Sequence, residues 1–182
     1  MKWQNLFILF LFVIPAFVQG QEKFENYTDE KYNFSVSYPA SWQVLHIHGY
    51  LWSARSELVN AKDKFEDLVQ IAAHPLHHSE HTMREFDVAN QYARKKITSI
   101  EKVPGSKIIA IEKAVYKDIP AVRIVYITKN KSEHEIKCSE LYAVQNKKIW
   151  TFSYTALQED YDHWTPYVNK IWDSFKFSAT KK

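Results

Sequence analysis

Seven consecutive residues, Tyr32-Asn33-Phe34-Ser35-Val36-Ser37-Tyr38, alternate apolar and polar without a break. A side-chain period of two belongs to a strand with one buried and one wet face. Tyr32, Phe34, Val36 and Tyr38 are therefore expected to face a core, and Asn33, Ser35 and Ser37 to face away from it. Pro39 has no N–H to give a ladder and ends the strand. Trp42 then brings a large apolar body just behind the break.

The segment ahead of this strand has a different character. Lys2, the apolar run 6–17 and the small or modest residues Val18-Gln19-Gly20 read as a secretory signal cut before Gln21. The run is shorter than the ~20 residues a spanning helix needs. The mature chain, residues 21–182, is expected to be one domain, secreted or periplasmic, with no stable membrane insertion after cleavage. The formal net charge of +3 includes Lys2 and is too mild to argue for nucleic acid. Three glycines in the chain leave no glycine-rich phosphate loop. Cys138 is the single cysteine, so no internal disulfide can form, and its place in an expected strand reads as a buried, inert thiol.

Further along, residues 21–30 read as a polar lead-in, 43–45 and 51–54 as short strand pieces, and 65–73 as a longer strand. Thr82 followed by Glu85 has the spacing of a capping box, and Phe86, Ala89, Ala93, Ile97 and Ile100 recur at helical spacing behind it. Residues 107–115 and 121–128 form a hairpin across Tyr116-Lys117-Asp118-Ile119-Pro120. A second hairpin pairs 136–144 with 149–155 across Gln145-Asn146-Lys147-Lys148. The last helix carries Trp164, Tyr167, Val168, Ile171 and Phe175. It begins either at Pro166 behind a Thr165 cap or near Glu159 with Pro166 as a kink. This order describes an α+β domain with helices covering an antiparallel sheet.

Three segments then stand out together: Tyr32 to Trp42 with its Tyr38-Pro39-Ala40-Ser41-Trp42 ending, Ile119-Pro120-Ala121-Val122-Arg123-Ile124-Val125-Tyr126, and Ile171-Trp172-Asp173-Ser174-Phe175-Lys176-Phe177. In this order the set resembles the PsbP-like family, and the likeness runs over about residues 27–177. The resemblance implies an α-β-α sandwich around a mainly antiparallel sheet, and a role in binding or assembly rather than catalysis. Asp118 stands where relatives often carry glycine. The lipobox cysteine of many bacterial members and the long basic extension of the plant subunit are both missing from the pattern.

Candidate chemistry concentrates in His74-Pro75-Leu76-His77-His78-Ser79-Glu80-His81. His74, His77, His78 and His81 can hold Zn²⁺ or Cu²⁺, since neutral imidazole suits both; an ordinary exposed loop accounts for the same residues. No other cofactor is indicated. His46 and His48 would share one face of a strand, and with His163 they form no recognisable triad. No GxSxG elbow or assignable carboxylate pair supports an enzyme. Trp52, Trp150, Phe152 and Tyr154 would either line an open groove or pack under the helices. The sequence thus points to an exported accessory or assembly protein whose partner is a protein or small molecule of the cell envelope. Metal handling by the 74–81 loop is the alternative.

Overall fold

Phe34, the third residue of the alternating segment, is where the strand begins. The computed structural model describes residues 22–57 and 67–177; the expected signal segment 1–20, its cut before Gln21 and the front of the strand expected from Phe65 lie outside them. Strand β2 spans Phe34–Pro39, with Phe34 and Val36 buried and Tyr38 half-buried. Tyr32 falls instead in the preceding turn, because Asn33 adopts a left-handed backbone with φ 54° and interrupts the pleat. The Tyr32 N–H donates to Asp29 Oδ1 at 2.8 Å and fixes that turn. The supposed lead-in is itself a strand, β1 (Phe24–Asp29), paired antiparallel with β2. Its polar composition hid it, because three of its six residues are exposed and none is fully buried, as suits an edge.

Next come β3 (Gln43–Leu45), β4 (Trp52–Arg55), β5 (Leu68–Pro75), a 3-10 turn (His78–Thr82), α1 (Glu85–Ile100), β6 (Lys107–Tyr116) and β7 (Ile119–Lys129). The chain continues through β8 (Glu135–Gln145), β9 (Lys148–Leu157), α2 (Tyr161–Ser174) and β10 (Lys176–Phe177). The strands make two antiparallel sheets, a three-stranded one in the order β1-β2-β10 and a seven-stranded one in the order β3-β4-β5-β9-β8-β7-β6. Both expected hairpins are present. Each turns on two adjacent left-handed residues, Lys117 and Asp118 in one, Asn146 and Lys147 in the other, the backbone that matches strand twist in two-residue turns.

The seven-stranded sheet is covered on both faces. Val88, Ala89, Ala93 and Ile100 of α1 pack on Val122, Ile124, Tyr126, Cys138 and Tyr142. The opposite face carries Trp150, Phe152 and Tyr154 under α2 and the small sheet. Helix α2 starts at Tyr161 and contains Pro166 in its interior, so the Glu159-side start holds and the Thr165 cap does not. The Thr165 hydroxyl donates back to Tyr161 O at 2.7 Å.

The first and third marked segments clasp each other. Phe177 of β10 lies opposite Phe34, and the Ser37 N–H donates to Ser174 Oγ at 2.8 Å. Phe175 is fully buried, with ring centroids 5.4 Å from both Phe34 and Trp150 and 5.1 Å from Phe152. Trp42 closes the other end of β2 against Trp164 of α2 at 5.5 Å, edge to face. Each motif is therefore one side of a single aromatic contact surface.

Candidate functional site

The 74–81 segment leaves β5 and becomes the 3-10 turn. His74, His77, His78 and His81 are all exposed. Only His78 and His81 approach as a pair, with ring centroids 5.8 Å apart. Glu80, the one carboxylate of the segment, turns inward: it is buried, accepts the His77 N–H at 2.8 Å and accepts the Tyr92 hydroxyl at 3.4 Å. Among the described residues no three His, Cys, Asp or Glu side chains gather into a metal-holding group. The capping box expected from Thr82 to Glu85 is displaced, since Glu80 makes the reciprocal bond at the 3-10 turn. Helix α1 begins behind Arg84, which makes no side-chain cap bond. His46 and His48 lie in the loop after β3, both exposed, and His163 is exposed on α2 against Trp164.

The aromatics expected as groove or core are core: Trp52, Trp150, Phe152 and Tyr154 are at most 2% exposed. The open-groove reading is therefore corrected, because the small sheet and α2 cover that face.

Two polar clusters whose members the sequence pattern does not bring together sit on opposite faces of the large sheet. Under α1, Glu140 of β8 accepts the Tyr126 hydroxyl at 2.8 Å, the Tyr142 hydroxyl in a short bond, and Lys96 Nζ at 2.8 Å. Burial, with Glu140 beside them, pushes both tyrosine hydroxyls well above their ordinary value, so they remain donors. Cys138 on the same face is buried and its thiol is pushed up chiefly by burial, which keeps it out of the nucleophilic thiolate form at neutral pH. These groups lock the α1 interface and give each carboxylate oxygen of Glu140 at least one donor.

On the α2 side, Arg123 Nε of β7 donates to Ser139 Oγ of β8 at 3.0 Å. Burial pushes the Tyr161 hydroxyl of α2 up, and Ser139 and the Arg123 charge beside it partly offset this. Lys137 Nζ stands 4.1 Å above the Tyr161 ring and 3.3 Å from Asp162 Oδ1. Three elements far apart in sequence supply these residues. The one available signal was Arg123, a lone cation inside the otherwise apolar run 119–126.

The remaining feature is an edge. Strand β6 ends the seven-stranded sheet, and among the described residues its outer backbone pairs with no other strand. Ile109, Ile111 and Val115 project from it with 46%, 56% and 74% exposure. Such an edge is a template for an added strand. A register shift at Ile108/Ala110 and the lysines at 107 and 113 blunt only part of it.

The PsbP family profile matches residues 22–177. Among solved structures, the solution structure of cyanobacterial PsbP (CyanoP) from Synechocystis sp. PCC 6803 is similar, with TM-score 0.58, 13% identity, and coverage of 91% of this chain and 98% of that one. LpqN, described as involved in cell envelope biogenesis of Mycobacterium tuberculosis, gives TM-score 0.58 at 9% identity, covering 89% of this chain and 88% of that one. PA94 from Pseudomonas aeruginosa, described as a protein of unknown function and putative regulator, gives 0.54 at 14% identity, covering 83% of this chain and 94% of that one. At these identities the likeness is one of fold. None of the curated proteins matches the chain.

Proposed function

This chain belongs to the PsbP family, and on that premise we propose that it is an exported accessory or assembly protein that acts by binding an envelope partner. The observation that carries the reading is the β6 edge, where three exposed apolar side chains stand beside a ladder that no other strand among the described residues pairs, over a core whose aromatics are used internally. An extended segment of a partner chain fits it, with apolar residues against Ile111 and Val115 and a carboxylate near Lys113, which lies between them on the same side. The description of LpqN in envelope biogenesis supports the same setting. The N-terminal charge and apolar pattern supports export, and mass analysis of the secreted or periplasmic chain should find Gln21 at its start.

A photo-crosslinker placed at Val115 should yield a discrete adduct in envelope fractions that is absent when it is placed at Lys102, and Ile111→Lys should abolish it. Identical adducts from both positions, together with turnover of some substrate by the purified protein, would overturn the reading. Metal handling by the 74–81 loop has the His78–His81 contact in its favour. Titration of tag-free protein with Zn²⁺ and Cu²⁺ decides it, and binding no tighter than millimolar removes it.

A further inference from the structure

The α2-facing side of the large sheet holds a cation cluster that the β6 edge does not use. We propose that Arg123, Lys137, Ser139 and Tyr161 form a binding site for an oxyanion, the carboxylate or phosphate group of a ligand. The site is on a sheet face and not on the edge, so it goes beyond the partner-binding reading and stands without it.

The first argument is charge. Arg123 is half-buried, and among the described residues no carboxylate lies within ion-pair distance of it. Its cross-strand neighbours are Glu112 and Leu141, and Glu112 is exposed and makes no ion pair with it. Charges taken out of water are ordinarily paired. Among the described residues its hydrogen-bond partner is the Ser139 hydroxyl, with the Tyr161 hydroxyl near the same charge. A guanidinium carries five N–H donors in a planar fork, so donors remain for an incoming anion.

The second argument is convergence. Lys137 stands over the ring of Tyr161, and Ser139, the hydrogen-bond partner of Arg123, lies two residues on from Lys137 on the same face of β8, so the two cations converge on one patch. The Lys137 side chain is 25% exposed, while its carboxylate partner Asp162 is 87% exposed, a weak surface contact that an anion can replace. The third argument is preorganisation. Ser139 is fully buried and Tyr161 nearly so, and the Tyr161 backbone carbonyl accepts the Tyr154 hydroxyl at 3.0 Å. The groups that orient the guanidinium are thus fixed before anything binds. A planar fork with a second cation beside it suits a group offering two or more anionic oxygens.

Calorimetric titration of the full chain with inorganic phosphate, with succinate and with phosphatidylglycerol vesicles tests the site and separates its sources. Saturable binding of phosphate or succinate is expected, and binding to the vesicles alone would assign the oxyanion to a lipid headgroup. Arg123→Gln should weaken the response about tenfold or more. Arg123→Lys should weaken it nearly as much, because the charge stays but the fork is lost. Lys102→Gln, exposed beyond the end of α1, should leave it unchanged. If Arg123→Gln melts too low to titrate, Tyr161→Phe removes one hydroxyl and should still weaken binding severalfold. Absence of saturable binding in all three titrations, or affinity within twofold of wild type in both Arg123→Lys and Tyr161→Phe, overturns the proposal.

Discussion

Lys96 of α1 and Glu140 of β8 meet at 2.8 Å across the interface between helix and sheet, and Glu140 is also the acceptor for Tyr126 and Tyr142. The two ends of this pair differ. The Lys96 side chain is 37% exposed and Glu140 9%, so the lysine can trade its partner for water while the two tyrosines cannot. Lys96→Met is therefore expected to cost only about 1 kcal/mol. Glu140→Ala strands two buried hydroxyls and should cost about 3 kcal/mol or more. Urea denaturation of the two variants and their double mutant measures both figures. A larger loss for Lys96→Met than for Glu140→Ala would mean that the charge pair, not the tyrosine acceptor, docks the helix.

Alkaline pH should unfold the protein steeply. Burial pushes Tyr116, Tyr126, Tyr142 and Tyr154 far above the ordinary tyrosine value. A folded pKa raised above the unfolded one favours the native state fully below the unfolded value, and that stability drains away as pH rises beyond it. The window therefore opens near pH ~10, where an unfolded tyrosine ionises. Each group then removes about 1.4 kcal/mol per pH unit, so four acting together exhaust a stability of about 5–15 kcal/mol within roughly one to three units. Tyrosinate absorbance and circular dichroism should change together. Tyrosinate growing in ahead of the loss of structure would show that the four hydroxyls titrate in the folded state.

How much was legible follows from how local each cause is. The hairpins around Asp118 and Asn146 were visible because turn residues and alternation lie within one stretch of chain. The α1 stripe was visible because Phe86 to Ile100 carries its own helical period, although the cap was misplaced: Glu80 and Glu85 both sit three residues after a plausible cap, and only packing of Tyr92 on Glu80 distinguishes them. Strand β1 was missed because an edge strand need not look apolar. The clasp of Ser174 on Ser37, the Glu140 acceptor and the Arg123 cluster join residues 14 to 137 positions apart, and periodicity carries no information at that range.

Asp118 sits at φ 66° in the two-residue turn between β6 and β7. A left-handed backbone is unfavourable for any residue with a Cβ, least so for Asn and Asp, and is free for glycine. Asp118→Gly should therefore stabilise the chain by about 0.5 kcal/mol, after the greater freedom glycine gives the unfolded chain is subtracted. Asp118→Val should destabilise by more than that. Denaturation midpoints at unchanged m-value would register both, and a lower midpoint for the glycine variant would mean that the aspartate carboxylate contributes a contact of its own.

Phe175 and Ser174 secure the small sheet in different ways, and two variants separate them. Phe175 fills the space between Phe34, Trp150 and Phe152 with no exposed surface, so Phe175→Ala leaves a cavity in the shared core and should cost about 3–5 kcal/mol. Ser174 is half-buried and gives up its hydroxyl's hydrogen bonds to Ser37 and to the Ile171 carbonyl within its own helix, so Ser174→Ala should cost about 1 kcal/mol. That smaller loss is local. The Ser37 N–H has Ser174 Oγ as its partner, so its hydrogen exchange should quicken in Ser174→Ala while amides in the middle of β8 keep their protection. In Phe175→Ala both regions should lose protection together, because one aromatic cluster spans the small sheet and the face of β9. If exchange in β8 stayed unchanged in Phe175→Ala as well, β1, β2 and β10 would be opening as a separate unit, and the clasp would be an attachment to the domain core instead of part of it.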